Sequence, residues 1–279
     1  MVDDVSVKKE KVIAAFDKLS TSFDQVSGQP MLGFTKLLLK EINLPENPVC
    51  LDIGCGTGIS TFELAKKIQE NGTIYGIDPS QPMIDISKKK AEQLGFPDVK
   101  FSIGDAEHLD FPDSMFDIVI SNQVIPFIPN RRKALTEIYR VLKPGGETAH
   151  LFYGGSVSQE VVKSAIEVAG RHPEFPLFMD AVVEYRDDLV GLEEAIDLFE
   201  SAGFVDHRIY GRHVVLYLDP SFWLARGMLW DIWKSGLPLD ARDRIRDELI
   251  EECRAVSENR GFKHTSYYII AVGVKQDNP

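Results

Sequence analysis

Residues 49–58 read Val49-Cys50-Leu51-Asp52-Ile53-Gly54-Cys55-Gly56-Thr57-Gly58, and the reading of this stretch decides the fold. A buried-strand run of Val49, Cys50 and Leu51 ends in Asp52. The chain then turns sharply through three glycines spaced two apart, and Ser60-Thr61-Phe62-Glu63-Leu64-Ala65-Lys66 continues as a helix. Strand, glycine turn and helix together build a crevice at the carboxyl end of a parallel sheet, where α/β proteins bind nucleotide-like ligands. A dinucleotide fingerprint requires Gly-x-Gly-x-x-Gly, with the helix N-terminus on a pyrophosphate. Here Ile59 stands where the third glycine belongs. Asp52, just before the turn, repels a phosphate and suits a ligand carrying an ammonium or sulfonium charge.

Further carboxylates follow in order. The second strand, Thr73-Ile74-Tyr75-Gly76-Ile77-Asp78, ends on an acid placed to accept both hydroxyls of a ribose. Lys100-Phe101-Ser102-Ile103 runs into Gly104-Asp105-Ala106-Glu107, where Asp105 can accept from an adenine amino group. A fourth strand spans Phe116–Asn122, and Leu142-Lys143-Pro144-Gly145-Gly146 precedes a fifth. This ordered set over residues 10–155 resembles the class I S-adenosylmethionine-dependent methyltransferases, most closely the small-molecule enzymes of the ubiquinone/menaquinone-biosynthesis type.

The resemblance implies an α/β fold: a seven-stranded, doubly wound, mostly parallel Rossmann-like sheet. N-terminal helices precede it and a helical cap is inserted before the last strand. It implies S-adenosylmethionine as cofactor. Gly54, Cys55 and Gly56 would line the methionine portion, with Asp52 near its ammonium. Asp78, followed by Pro79, would take the ribose, and Asp105, Ala106 and Glu107 would frame the adenine. Met83 reaches the adenine or packs in the core. Asn122 and Gln123, at the end of strand four, would lie beside the methyl donor.

The helical stretches expected in the core are 60–71, 81–95 and 130–141, with Ser80 as a cap for the second. Residues 8–26 and 31–42 read as two helices parted by Gly28-Gln29-Pro30. Phe16 and Phe23 lie seven positions apart and so on one helix face. The resembled family folds an aromatic–Asp segment over the cofactor here; this chain has Phe23-Asp24 where Tyr-Asp is commoner, which makes Phe23 either an acceptor contact or a core residue. Residues 191–203 read as a helix closed by glycine, 205–217 as strand six and 267–274 as strand seven. The expected division is therefore 1–45 as helical cover, 46–217 as cofactor-binding core, 218–266 as cap and 267–279 as last strand and tail.

The cap carries all three tryptophans of the chain. At about 100° per residue Trp223, Trp230 and Trp233 share one helix face, with Phe222, Leu229 and Ile232 adjacent. Such a helix needs cover on two sides. A hydrophobic acceptor, a cationic amine held over indole rings, a second subunit, or the amphipathic segment at 240–260 can each supply it.

Composition narrows the partners. The net charge of −12 argues against a nucleic-acid partner, which needs a basic surface. No uncharged apolar run approaches the about 18 residues of a membrane span. The opening Met1-Val2-Asp3-Asp4 is unlike a signal peptide. Three cysteines, Cys50, Cys55 and Cys253, have no metal-like spacing, so no metal is expected and a cytoplasmic location fits them.

Methyl transfer from a sulfonium asks little beyond alignment and desolvation. Where an acceptor must lose a proton, His150 and Tyr153, on or just past strand five, are the candidate bases, with His108 after the adenine loop. Asn122-Gln123-Val124-Ile125-Pro126-Phe127 departs from the Asn/Asp-Pro-Pro-Tyr/Phe pattern of enzymes that methylate planar amide or base nitrogens. The acceptor expected is small and hydrophobic or aromatic. Two rivals stand beside this reading: a non-catalytic protein that binds the cofactor as sensor or scaffold, and a nicotinamide-dependent oxidoreductase, which Ile59 and Asp52 disfavour.

Overall fold

The computed structural model describes residues 4–69, 71–154, 163–164, 167–168, 170–172, 190–220, 237–257, 259 and 261–276. Seven strands form one sheet: β1 (Val49–Ile53), β2 (Thr73–Asp78), β3 (Lys100–Ile103), β4 (Phe116–Asn122), β5 (Leu142–Tyr153), β6 (Asp206–Leu218) and β7 (Phe262–Val274). Their spatial order is β3-β2-β1-β4-β5-β7-β6. β1 pairs in parallel with β2 and β4, β2 with β3, and β4 with β5. β7 runs the other way: the Gly145 N–H donates to the Lys275 carbonyl, and the Gly154 N–H donates to that of Tyr267. The chain winds outward from β1 to β3, then returns to place β4 on the other side of β1. That reversal opens a crevice at the carboxyl ends of β1 and β4.

Between the strands run α3 (Ile59–Ile68), α4 (Gln81–Leu94), α5 (Arg131–Val141) and α6 (Leu192–Ala202). Each follows its local signals. The Ser80 side chain accepts from the Met83 N–H at the start of α4, and left-handed Gly95 ends it. In α5 the buried residues Ala134, Leu135, Ile138 and Val141 recur at helical spacing on one face. Gly203, at φ +102°, closes α6.

The N-terminal helices depart from expectation. The break falls at Ser20–Ser22, between α1 (Asp4–Leu19) and α2 (Phe23–Leu38), and α2 runs through Gly28 and Pro30. Ser20 Oγ donates to the Asp17 carbonyl and Ser22 Oγ to that of Leu19. Hydroxyls that bond the backbone locally compete with the helical ladder, and this pair marks the junction. Pro30 removes only one ladder donor, while α2 is held from outside by contacts to α3. Phe16 and Phe23 therefore sit on different helices, yet their rings still meet at 6.5 Å.

The chain divides into two compact units, one of Met1–Phe152, Val190–Tyr210 and Ile269–Pro279, the other of Tyr153–Leu189 and Gly211–Tyr268. The second therefore takes in 153–189, which the sequence reading counted with the core. Its described helix is α7 (Leu239–Ala255), where Ala241, Ile245, Leu249 and Cys253 are buried at four-residue intervals. The outer face of α7 carries ion pairs such as Arg246–Asp243 and Arg254–Glu251, worth at most about 1 kcal/mol each. Trp223, Trp230 and Trp233 lie outside the described residues. Among the described residues no helix is long and apolar enough to cross a membrane.

Candidate active site

The glycine turn is built in the left-handed region, with φ of +67° at Gly54, +52° at Gly56 and +87° at Gly58. L side chains avoid that region. A Cβ on Gly54 would lie 2.3 Å from Val124 Cγ2, and one on Gly58 2.6 Å from the Phe62 ring. Those two glycines let the turn press against the segment after β4 and against α3. Gly56 differs: a Cβ there would meet nothing within 4 Å. The space over Gly56 is open. Cys55 is buried, and burial pushes its thiol well above the ordinary value, so it lines the turn without acting as a thiolate.

Three acids surround the turn, each held differently. Asp52 is buried and accepts from Thr61 Oγ1 at 2.6 Å. Burial pushes its carboxyl up to about 7; the Thr61 hydrogen bond opposes that and the neighbouring Asp78 adds to it. Asp78 accepts from the Gly56 N–H and the Ser80 N–H, both at 2.9 Å. Burial raises its pKa against those two bonds. Its carboxylate thus ties the glycine turn to the start of α4, with Pro79 exposed and Met83 buried beside it. Asp105 accepts from Lys9 Nζ at 2.6 Å and from the Glu107 N–H at 3.0 Å. Partial burial raises its pKa, but these bonds outweigh it and hold the carboxyl below its usual range. Ala106 is half-buried, and Glu107 is buried with Oε1 accepting from the Asn130 N–H.

The N-terminal helices are bonded to this crevice at four places. Lys9 reaches Asp105, and Ser80 Oγ donates to Asp17 at 2.5 Å. Asp24 accepts from Thr57 Oγ1 and pairs with Lys90. Thr35 meets Ser60 and Asn122. Phe16, Phe23 and Phe127 form an aromatic group, with Phe16 edge-on to Phe127 at 5.5 Å and Phe23 half-buried. The partners of Lys9, Asp17, Thr35 and Thr57 stand 25 to 96 positions away in the chain, and no local pattern marks them. Of the N-terminal residues gathered here, the sequence marks Phe16 and the Phe23-Asp24 pair.

At the end of β4 the buried atoms Asn122 Oδ1 and Gln123 Nε2 have no partner among the described residues. Gln123 is also in the left-handed region, at φ +64°. Orphaned polar atoms at a strand end whose Val124 packs on the glycine turn fit a polar ligand with both donors and acceptors. The residues present therefore fit the methionine end, ribose and adenine of S-adenosylmethionine.

His150 does not have the place of a base. In the β4–β5 register Ser121 pairs with His150 and Asn122 with Leu151, so His150 is on the sheet face opposite Asn122. Its ring is fully buried, edge-on to Phe199 of α6, with Nε2 bonded to Thr148 Oγ1. Burial pushes its pKa down to about 3, leaving it neutral at physiological pH. The period-two alternation along β5 is what turns this histidine away from the Asn122 face. His150→Leu is expected to leave the pH dependence of turnover between pH 5 and 8 unchanged. In the wild type, the folded ring resists the proton that the unfolded ring takes at about 6.5. Stability should therefore fall as pH drops from there toward 3, and thermal melts should show a weaker fall in the variant. Tyr153 is edge-on to Tyr268 at 5.6 Å within the second unit. His108 is exposed, 3.5 Å from Asp105. Among the described residues no cluster could hold a metal ion.

Residues 45–166 match a family model described as a methyltransferase domain. Over 218 residues the chain is 29% identical to a demethylmenaquinone methyltransferase of Anoxybacillus flavithermus, covering 72% of this chain and 90% of that protein. Over 135 residues it is 38% identical to a demethylmenaquinone methyltransferase of Lactiplantibacillus plantarum, covering 47% and 57%. The crystal structure of YcgJ from Bacillus subtilis superposes with a TM-score of 0.58 at 21% identity, covering 88% of this chain and 99% of that one, a likeness of fold. With the glycine turn, the acids at three strand ends and the sheet order in place, the chain is an S-adenosylmethionine-dependent methyltransferase, and residues 45–166 are its methyltransferase domain.

Proposed function

We propose that the acceptor is a small, planar, hydrophobic compound of the quinone type, taken in its reduced form. The single observation that carries this reading is the aromatic group of Phe16, Phe23 and Phe127, contributed by α1, α2 and the turn after β4. These half-buried rings, gathered next to the end of β4, suit stacking with a flat acceptor. The names of the relatives, demethylmenaquinone methyltransferases, support the same class. When bound, S-adenosylmethionine supplies an activated methyl group. The chain's residues supply position: Asp78 the ribose, Asp105 and Glu107 the adenine edge, Asp52 and Asn122 the methionine end. The acceptor's electron pair would take the methyl carbon, with the C–S bonding pair left on the cofactor's sulfur. A ring carbon that gains the methyl loses its proton to a base, for which Tyr153 and His108 are the candidates that the sequence offers.

From the sequence alone, Trp223, Trp230 and Trp233 of the cap at 218–266 are the residues proposed to contact the acceptor or a second copy of the chain. A cytoplasmic location fits the free cysteines. Incubation with a panel of reduced naphthoquinones, phenols and amines, read by mass, tests the reading. Gain of one methyl mass on the quinols with release of S-adenosylhomocysteine is expected; methylation confined to the amines would refute it.

Asp52 links cofactor binding to pH. In the free protein its pKa is raised to about 7, so its ionised form costs stability. That cost grows as pH rises from the unfolded value of about 3.9 toward 7. A cation bound beside it favours ionisation, so affinity for S-adenosylmethionine should rise with pH and level off above about 7. Calorimetry near pH 6 in buffers of different ionisation enthalpy should detect proton release, and Asp52→Asn should abolish it.

A further inference from the structure

The cluster of Thr35, Ser60 and Asn122 carries a direction. Thr35 Oγ1 is 2.8 Å from the Met31 carbonyl, which can only accept, so the threonine hydrogen is used there. Thr35 and Ser60 are also 2.8 Å apart, so Ser60 donates its hydrogen to Thr35. Neither oxygen has a hydrogen left. Asn122 Nδ2 lies 3.1 Å from each, and its two hydrogens satisfy both. Turning the amide over would set a bare carbonyl oxygen against two bare hydroxyl oxygens. The carboxamide is therefore locked, with Oδ1 pointed away from the cluster. Asn122 is 9% exposed, and that oxygen is buried without a partner.

The sheet register says what lies nearby. Asp52 of β1 pairs with Ile120 of β4, two residues before Asn122, so the side chains of Asp52 and Asn122 leave the same face of adjacent strands. Val124 presses the same strand end against Gly54 of the turn. A carboxyl, a fixed carbonyl acceptor and a glycine turn on one face suit a compact cation with several hydrogens to donate.

We infer that Thr35 and Ser60 are positioning residues, which hold Asn122 so that its oxygen accepts from the α-ammonium group of S-adenosylmethionine. This rests on the cofactor reading above. The N-terminal helices thereby prepare the methionine subsite, since Thr35 belongs to α2.

The test is the affinity of Thr35→Val and Thr35→Ser for three ligands: S-adenosylmethionine, S-adenosylhomocysteine and 5′-methylthioadenosine. The first two carry the ammonium and the third lacks it. Thr35→Val should weaken the first two about tenfold each, the scale of one bond to a charged group. It should leave the third unchanged, and Thr35→Ser should restore both. Loss shared by all three ligands, no loss at all, or loss for S-adenosylmethionine alone each overturns the inference. Should Thr35→Val not fold, Ser60→Ala gives the same reading. Wild-type protein that binds none of the three would instead overturn the cofactor reading.

Discussion

Gly56→Ala is expected to fold and to lose cofactor binding, whereas Gly54→Ala is expected to lose stability first. Both glycines are left-handed, so each substitution carries a backbone cost of roughly 1–2 kcal/mol. They differ in what a methyl group would meet. At Gly54 the new Cβ falls 2.3 Å from Val124 Cγ2, 2.8 Å from its Cγ1 and 3.1 Å from its Cβ, so rotating the valine gives no escape. Overpacking of that kind adds about 1–3 kcal/mol. At Gly56 the new Cβ would meet no described residue beyond its chain neighbours within 4 Å, so the added methyl projects into open space. Thermal melts should place Gly56→Ala well above Gly54→Ala, while calorimetry should detect no S-adenosylmethionine binding to Gly56→Ala at concentrations that saturate the wild type. Wild-type affinity in Gly56→Ala would mean that the cofactor does not pass over the turn.

Asp78→Asn is expected to reduce S-adenosylmethionine affinity by at least about a hundredfold. The carboxylate is already oriented by the Gly56 and Ser80 N–H groups, so it offers its remaining acceptor positions to the ribose at no further ordering cost. Hydrogen bonds to charged groups are worth about 1.5–3 kcal/mol, and two are at stake. The amide keeps one acceptor for one of the two N–H groups, but its NH2 faces the other. A loss of about 1–3 kcal/mol in stability should accompany the loss of affinity. 5′-Methylthioadenosine, which retains the ribose, should weaken in step; a change below tenfold in both ligands would remove Asp78 from the ribose site.

Much of the core was legible because its signals are local. The strands at 73–78, 100–103 and 116–122 occupy the stretches the sequence indicated, and α4 starts and ends at its Ser80 and Gly95 signals. Asp78 stood out because a strand tip beside a glycine turn has few other uses. The N-terminal region was harder: Gly28-Gln29-Pro30 reads as a break, but α2 gains enough from its tertiary partners to carry a proline. His150 and Asn122 both looked polar and near a strand end. Only the register separates them, by placing their side chains on opposite faces of the sheet.

The amino-acid sequence by itself determined the alternation of strands and helices, the left-handed turn at Gly54, Gly56 and Gly58, and the three acids that follow it, because each depends on neighbours in the chain. Tertiary structure alone decided which polar groups face one another. Lys9 on Asp105, Asp24 on Thr57, and the locked amide of Asn122 bring together residues that are distant in the chain, and hydrogen-bond direction is set only where their atoms meet.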